Sequence, residues 1–173
     1  MSQFNMELPS AVIFALTKLE SFGFEAYVVG GAVRDAMLGR ALHDYDITTS
    51  ASPEEIKTVF ADFHTILTGE KHGTVTVMID HELVEITTFR SEGEYENHRK
   101  PIQVEFVRNL EEDLRRRDFT VNAMCCDINS RVYDFYGGQA DLEKGIIRCV
   151  GRAEERFEED ALRILRGLRF ASV

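Results

Sequence analysis

Cysteine is scarce in this sequence, and the three that occur, Cys125, Cys126 and Cys149, form no familiar pattern. The count is odd, two are adjacent, and none stands at metal-ligand spacing, so neither a disulfide framework nor a cysteine metal site is indicated. They read as reduced thiols packed into the core of a cytoplasmic protein. Long apolar runs are also missing: no window reaches the ~18 residues of a membrane span. The opening "MSQFNMELPS" has neither the basic start nor the apolar stretch of a secretory signal. There is no internal repeat and no low-complexity tract. Positive charge is in deficit, with 20 Lys and Arg against 30 Asp and Glu and a net charge of -10. That balance argues against non-specific nucleic-acid binding, which draws much of its affinity from phosphate contacts. It does not exclude a local basic site, because the location of charge matters more than its sum. Basic residues gather at Arg115–Arg117 and again at Arg163, Arg166 and Arg169.

What remains is an ordinary globular composition, 44% apolar and 29% charged over 173 residues, enough for one domain or one domain and part of another. Val12, Ile13, Leu16 and Leu19 have helical spacing behind Ser10 as an N-cap, predicting a helix to about Ser21. "FEAYVV" reads as a strand running into Gly30-Gly31, and "AVRDAML" as a helix that stops at Gly39. "YDITT" is β-prone. "SPEE" at Ser52–Glu55 is a capping box with proline at the first helical position, opening a helix to about Phe60. Alternation in "TVTVMI" and "LVEITTF" predicts a hairpin about Asp80-His81, with Val84 and Ile86 inward and Glu85 and Thr87 on the other face. Residues 90–101, "RSEGEYENHRKP", lack periodicity and read as a long mobile loop, with Glu94 and Arg99 supplying polar reach. Beyond it follow a strand "IQVEF", a helix through "LEEDLRRR", a turn at Asn129-Ser130 between two strands, and a strand "IIRCV". From about Glu154 the positions Phe157, Ala161, Ile164, Leu165 and Leu168 predict one helix. The expected class is α/β (mixed α+β), a small mixed sheet with flanking helices, followed from about Gly151 by the start of an all-helical region. The last helix stops without a capping signal, which reads as a piece of a longer protein.

Asp44 and Asp46 stand two residues apart, a spacing that puts both carboxylates on one face of a strand. Like charges so placed raise a pKa and cost stability unless a cation lies between them. A divalent cation with oxygen ligands removes that cost, and phosphates commonly complete the shell of Mg²⁺. The competing possibility is a pair of solvent-facing acids, each matched by a nearby arginine. The context favours the cation. Gly30-Gly31 opens a helix, where free N–H groups suit an anion, and Arg34 in its first turn can reach the same anion or pair with Asp35. Glu85, on the outward face of its strand, can complete a trio of carboxylates or simply face solvent. Arg117 beside Asp118 offers donors next to an acceptor, suited to a ribose hydroxyl or phosphate, or else forms a helix-end ion pair. Phe119 and Asn122 read as structural. Asp160 and Arg163, three apart, present acceptors and donors that can match a base edge or form an i,i+3 salt bridge.

Four segments in order, "GGAVRDAMLGRALHDYDITT", "RRDFTVNAM", "DFYGGQADL" and "EDALR", resemble the class II tRNA nucleotidyltransferase and bacterial poly(A) polymerase family. That family lies within the polymerase β-like nucleotidyltransferase superfamily, and the likeness covers nearly the whole chain. "HGTVTV" and "VEITTFR" look closer to the Gram-positive CCA-adding branch. The basic "GRRF"-like signature of the poly(A) polymerase branch is not evident where "GEKHGT" stands. The resemblance implies a catalytic head over residues 1–150 and the first part of a helical neck over 151–173. It implies Asp44 and Asp46 as Mg²⁺ ligands and Glu85 as the superfamily's third carboxylate. Gly30, Gly31, Arg34, Arg117 and Asp118 would contact the nucleotide. Asp160 and Arg163 would select the base, with Arg166 and Arg169 as further nucleotide contacts and Glu159 supporting Arg163. The implied activity adds C, C and A from CTP and ATP to the 3′ end of tRNA, with RNA held mainly by parts C-terminal to this region. The 90–101 loop would coordinate the change from C to A. CC-only or A-only addition, poly(A) synthesis and a non-catalytic nucleotide- or RNA-binding module are the alternatives. No membrane partner is expected, and oligomeric state is not legible.

Overall fold

The computed structural model describes residues 4–42, 44–93, 95–96, 100–101 and 104–172. The chain starts with α1 (Ser10–Ser21), β1 (Ala26–Val29), α2 (Gly31–Met37), β2 (Asp46–Thr49) and α3 (Pro53–Val59). Strands β3 (Thr65–Ile66), β4 (Thr74–Ile79) and β5 (Glu82–Thr88) follow. The next short strands are β6 (Arg90–Glu92), β7 (Tyr95–Glu96), β8 (Lys100–Pro101) and β9 (Val104–Phe106). Helix α4 (Leu110–Arg115), strands β10 (Met124–Cys126) and β11 (Val132–Asp134), and helices α5 (Gly138–Glu143), α6 (Ala153–Glu159) and α7 (Leu162–Ala171) complete it. Among the described residues seven strands form one sheet in the order β11-β10-β1-β2-β5-β4-β3. It is mixed: β2 and β5 run parallel, while the other neighbouring pairs are antiparallel. This is the α/β class with a small mixed sheet expected from the sequence. No helix among the described residues is long and apolar enough to cross a membrane.

Side-chain alternation builds a core on each face of the sheet. Val28, Ile47, Ile86 and Val75 lie in register across four strands and pack with Leu16 and Leu19 of α1 and Ile56 of α3. Val29 and Cys125, paired in register, face the other way onto Leu110 and Leu114 of α4. Adjacent cysteines therefore go to opposite faces, Cys126 joining the first core and Cys125 the second. All three thiols are free and buried, as the sequence suggested.

Local signals decide most boundaries. Ser52 and Glu55 form both bonds of the capping box, with Pro53 at the start of α3. Asp80 and His81 adopt φ of 48° and 68° at the hairpin tip, the paired left-handed geometry that a tight turn between twisted strands requires. Val84 and Ile86 point inward and Glu85 outward. Four expectations are corrected. Ser10 is not the N-cap of α1; Pro9 occupies that position and no side chain caps it. "IIRCV" forms no strand: Phe119 and Cys149 make a single bridge, because the chain turns into a one-turn helix at Thr120–Asn122 and the ladder cannot continue. The C-terminal helix is broken into α6 and α7 by Asp160, extended at φ -142° and ψ 103°. Ile164, Leu165 and Leu168 consequently remain exposed, while Phe157 packs beside Phe119. Within 90–101, where a long mobile loop was expected, the described residues form the short strands β6, β7 and β8; Glu94 and Arg99 lie outside the described residues.

The "DFYGGQADL" segment is architectural. Both Asp134 carboxylate oxygens accept backbone N–H groups at the start of α5, from Gly138 at 2.8 Å and Gln139 at 2.9 Å. A Cβ on Gly138 would lie 2.3 Å from the Thr120 carbonyl oxygen and 2.8 Å from Met124 Cγ. Backbone cannot yield at that distance, so Gly138→Ala is expected to destabilise the protein by about 2–3 kcal/mol in urea unfolding. An unchanged midpoint would contradict this packing.

Candidate nucleotide site

The site begins where β1 ends. Gly30 has φ 75° and ψ -127°, a conformation that a side chain strongly disfavours. A Cβ there would also stand 3.1 Å from Arg117 Nη1, so glycine is required both by the turn and by the arginine above it. Gly31 then starts α2. Across the sheet Asp46 pairs with Val29, which sets its carboxylate beside this turn. Asp44 lies in the segment entering β2 rather than on the strand, yet both acids line one cleft of about 610 Å³ with Gly30, Gly31 and Arg117. Their sharing of a face is thus made by the cleft and not by a common strand. Among the described residues neither carboxylate has a hydrogen bond or ion pair. Surrounding protein pushes the Asp46 carboxyl above its usual value, Arg117 pulls it partly back, and Asp44 adds a like charge. Two hard oxygen donors side by side without partners suit a divalent cation that also binds phosphate. Glu85 pairs in register with Asp46 and is exposed. It does not line the cleft, and no group of three or more metal-ligating side chains is found among the described residues.

The opposite wall is basic and hangs from the end of α4. Asp113 is fully buried. Its carboxylate accepts from Thr48 Oγ1 at 3.0 Å, the Arg90 backbone N–H at 3.1 Å and Arg116 Nε at 3.0 Å, and it pairs with Arg117 Nη2 at 3.7 Å. Burial alone would raise its pKa, but the Arg116 and Arg117 guanidiniums and the Arg90 N–H outweigh it and hold the carboxyl below the ordinary range. Burial lowers the pKa of Arg117, with Asp113 opposing; the guanidinium stays charged regardless. Arg116 reaches Glu92 at 3.4 Å, which also accepts from Arg90 at 3.1 Å. Sequence reasoning passed over Asp113 and Glu92, although Asp113 precedes Arg116 and Arg117 by three and four residues, the helical pairing distance.

A second network joins α2 to α7. Asp118 accepts from the Phe119 N–H at 2.8 Å, Asn122 Nδ2 at 3.2 Å and Arg166 Nε at 2.6 Å. Asn122 Oδ1 accepts from Arg34 Nη1 at 2.6 Å, and Arg34 grips Asp35 through two bonds of 2.9 Å. Arg34 thus forms the Asp35 ion pair and also lines the cleft, with its guanidinium 4.9 Å from the Phe170 ring centre. Phe119 packs in a core cluster, while Asn122 bridges Asp118 and Arg34 and also lines the cleft. Arg166 and Arg169 line the cleft.

The Asp160 and Arg163 side chains do not pair, although the Arg163 backbone N–H donates to the Asp160 carbonyl at 3.1 Å. Asp160 stands outside the helix and accepts the Leu162 N–H at 3.0 Å, opening α7, so it does not share a helical face with Arg163 or line the cleft. Arg163 does line it, but is 5% exposed and donates to Glu159 at 2.7 Å, the Arg156 carbonyl at 3.0 Å and the Arg116 carbonyl at 3.3 Å. The support from Glu159 is as the sequence suggested.

Residues 26–148 match the family model described as the poly A polymerase head domain. The chain belongs to that family. Over 157 residues, 91% of its length, the chain is 55% identical to CCA-adding enzymes of Staphylococcus saprophyticus and Staphylococcus aureus. It spans 39% of their length. Among solved structures, it superposes on a Bacillus stearothermophilus CCA-adding enzyme in complex with CTP at TM-score 0.84 and 46% identity, covering 94% of this chain and 38% of that one. A Thermotoga maritima CCA-adding enzyme complexed with tRNA matches at TM-score 0.69 and 27% identity, covering 92% and 36%. The resemblance drawn from the ordered motifs holds.

A raised folded-state pKa means that Asp46 favours folding below its unfolded value and ceases to do so as pH rises through the folded one. Ionised Asp46 is then a cost at neutral pH without metal. In EDTA, Asp46→Asn of the head is expected to melt higher than wild type at pH 7, the gain fading below the carboxylate range. Mg²⁺ should raise the wild-type Tm and leave the variant unmoved. Identical melting of the two at pH 7 would contradict the assigned cost.

Proposed function

We propose that this chain is the nucleotidyl-transferring head of a CCA-adding tRNA nucleotidyltransferase, residues 1–150, joined to the beginning of a helical neck over 151–173. The observation that carries the reading is one cleft holding the Asp44 and Asp46 carboxylates, the Gly30-Gly31 turn and the Arg117 guanidinium. The names of the relatives support the choice of CCA addition within the family, and the family model's end at residue 148 supports the boundary. CTP and ATP are the substrates, the tRNA 3′ end is the acceptor, and the cytoplasm is the site of action.

Asp44 and Asp46 would hold Mg²⁺, which supplies neutralisation of triphosphate charge. Arg117 donates to the nucleotide's phosphates or ribose, and the glycine turn lets the nucleotide approach the backbone closely. The RNA 3′ hydroxyl attacks the α-phosphate in line and pyrophosphate leaves; positioning and charge stabilisation carry such reactions. Glu85, in register with Asp46 on the neighbouring strand but outside the cleft lining, would orient that hydroxyl only from the cleft's edge. Arg166 and Arg169 contribute further donors from α7. Base selection by Asp160 and Arg163 requires Arg163 to exchange Glu159 and carbonyl partners for a base edge.

The test supplies tRNA ending before CCA, in C and in CC with CTP and ATP, separately and together, to the protein carrying this head. Stepwise C, C and A addition in Mg²⁺ is expected, reduced at least ~100-fold by Asp46→Ala. No incorporation on any primer would overturn the proposal.

A further inference from the structure

We propose that Asp113 is a positioning residue for nucleotide binding, acting through Arg117; the inference rests on the functional reading above and deepens it. The geometry is directional. Three donors from three different elements fix the Asp113 carboxylate: Thr48 of β2 at 3.0 Å, the Arg90 backbone of β6 at 3.1 Å and Arg116 Nε at 3.0 Å. The fourth contact, Arg117 Nη2 at 3.7 Å, lies on the side of the cleft. Asp113 itself is fully buried and does not line the cleft, so it can touch no substrate. Arg117 does line it, and its Nη1 would stand 3.1 Å from a Cβ on Gly30.

Among the described residues, Arg117 has no ion-pair partner besides Asp113, and its buried Nε has no hydrogen-bond partner. One carboxylate thus holds a guanidinium that is otherwise underpartnered. Stability alone is a poor reason for such an arrangement, because buried ion clusters replaced by apolar residues are often as stable. Fixing a long side chain before the ligand arrives is a better one, since less ordering remains to oppose binding. The carboxylate also joins β2, which begins with Asp46, to α4, after which Arg117 comes. The spacing between the acidic and basic walls of the cleft is therefore set at this residue.

The test is a mutant cycle on nucleotide incorporation. D113N, R117A and the double variant are compared with wild type for KM and kcat with CTP and with ATP, and thermal unfolding is recorded for each. L16A, a core change in α1 remote from the cleft, controls for lost stability. Removing a group that orients a ligand-binding side chain typically costs about 10–100-fold, so D113N is expected to raise KM for both nucleotides at least tenfold with a smaller change in kcat. In the R117A background it should raise KM no further, and L16A should leave KM at the wild-type value. If D113N does not fold, D113E, which keeps the charge and moves it, is read by the same criteria. Unchanged KM, an equal increment with and without Arg117, or an equal rise in L16A would each overturn the assignment. A wild-type protein that incorporates neither nucleotide would instead overturn the functional reading, and the assignment with it.

Discussion

The buried Asp113 carboxylate is the constraint on which both walls of the cleft depend. It binds the sheet through Thr48, the start of β6 through the Arg90 backbone, and the end of α4 through Arg116. Removing such a charge from water costs several kcal/mol, offset only when every lone pair finds a donor. Here the donors come from elements that must all be correctly packed before the carboxylate is satisfied. Core packing is thereby converted into site geometry: Val28, Ile47 and Ile86 fix the sheet, the sheet fixes Thr48 and Asp46, and Asp113 fixes the arginines facing Asp46.

The cleft separates two tasks. Its floor, made of Gly30, Gly31, Asp44 and Asp46, is built from the central strands and suits phosphate and metal. Its far side comes from α7, attached by Arg163 to the Arg116 carbonyl and by Phe170 against Phe119, while Arg156 of the preceding α6 donates to the Arg116 and Arg117 carbonyls. Few buried contacts hold α7, and most of its apolar side chains are exposed. The part of the site proposed to take phosphate is therefore braced by the sheet, whereas the part to which base selection is assigned rests on hydrogen bonds that can be exchanged.

Much of this was legible in the sequence where a signal is local. The capping box at Ser52, the Asp80-His81 turn, the alternation through Glu85 and the glycine pair each specify their own backbone. The acid pair, too, was correctly joined to the glycines, although through a cleft and not along one strand. What escaped depends on partners distant in sequence. A helical pattern ran through Asp160, but its side chain captures the Leu162 N–H and breaks the helix, a competition that periodicity does not register. Arg34 was legible as a cation, but Asn122, 88 residues away, decides where it points. Nothing in "LEEDLRRR" singles out Asp113; only the fold buries it against Thr48.

The braced arginines and the acid pair are proposed to form a site for a nucleoside triphosphate, with recognition centred on phosphate. Calorimetric titration of the protein with CTP, CDP, CMP and cytidine, with and without Mg²⁺, tests it most directly. Affinity should fall with each phosphate removed and depend on Mg²⁺ for CTP, and cytidine should bind least. Equal binding of cytidine and CTP, or CTP binding indifferent to Mg²⁺, would contradict the account.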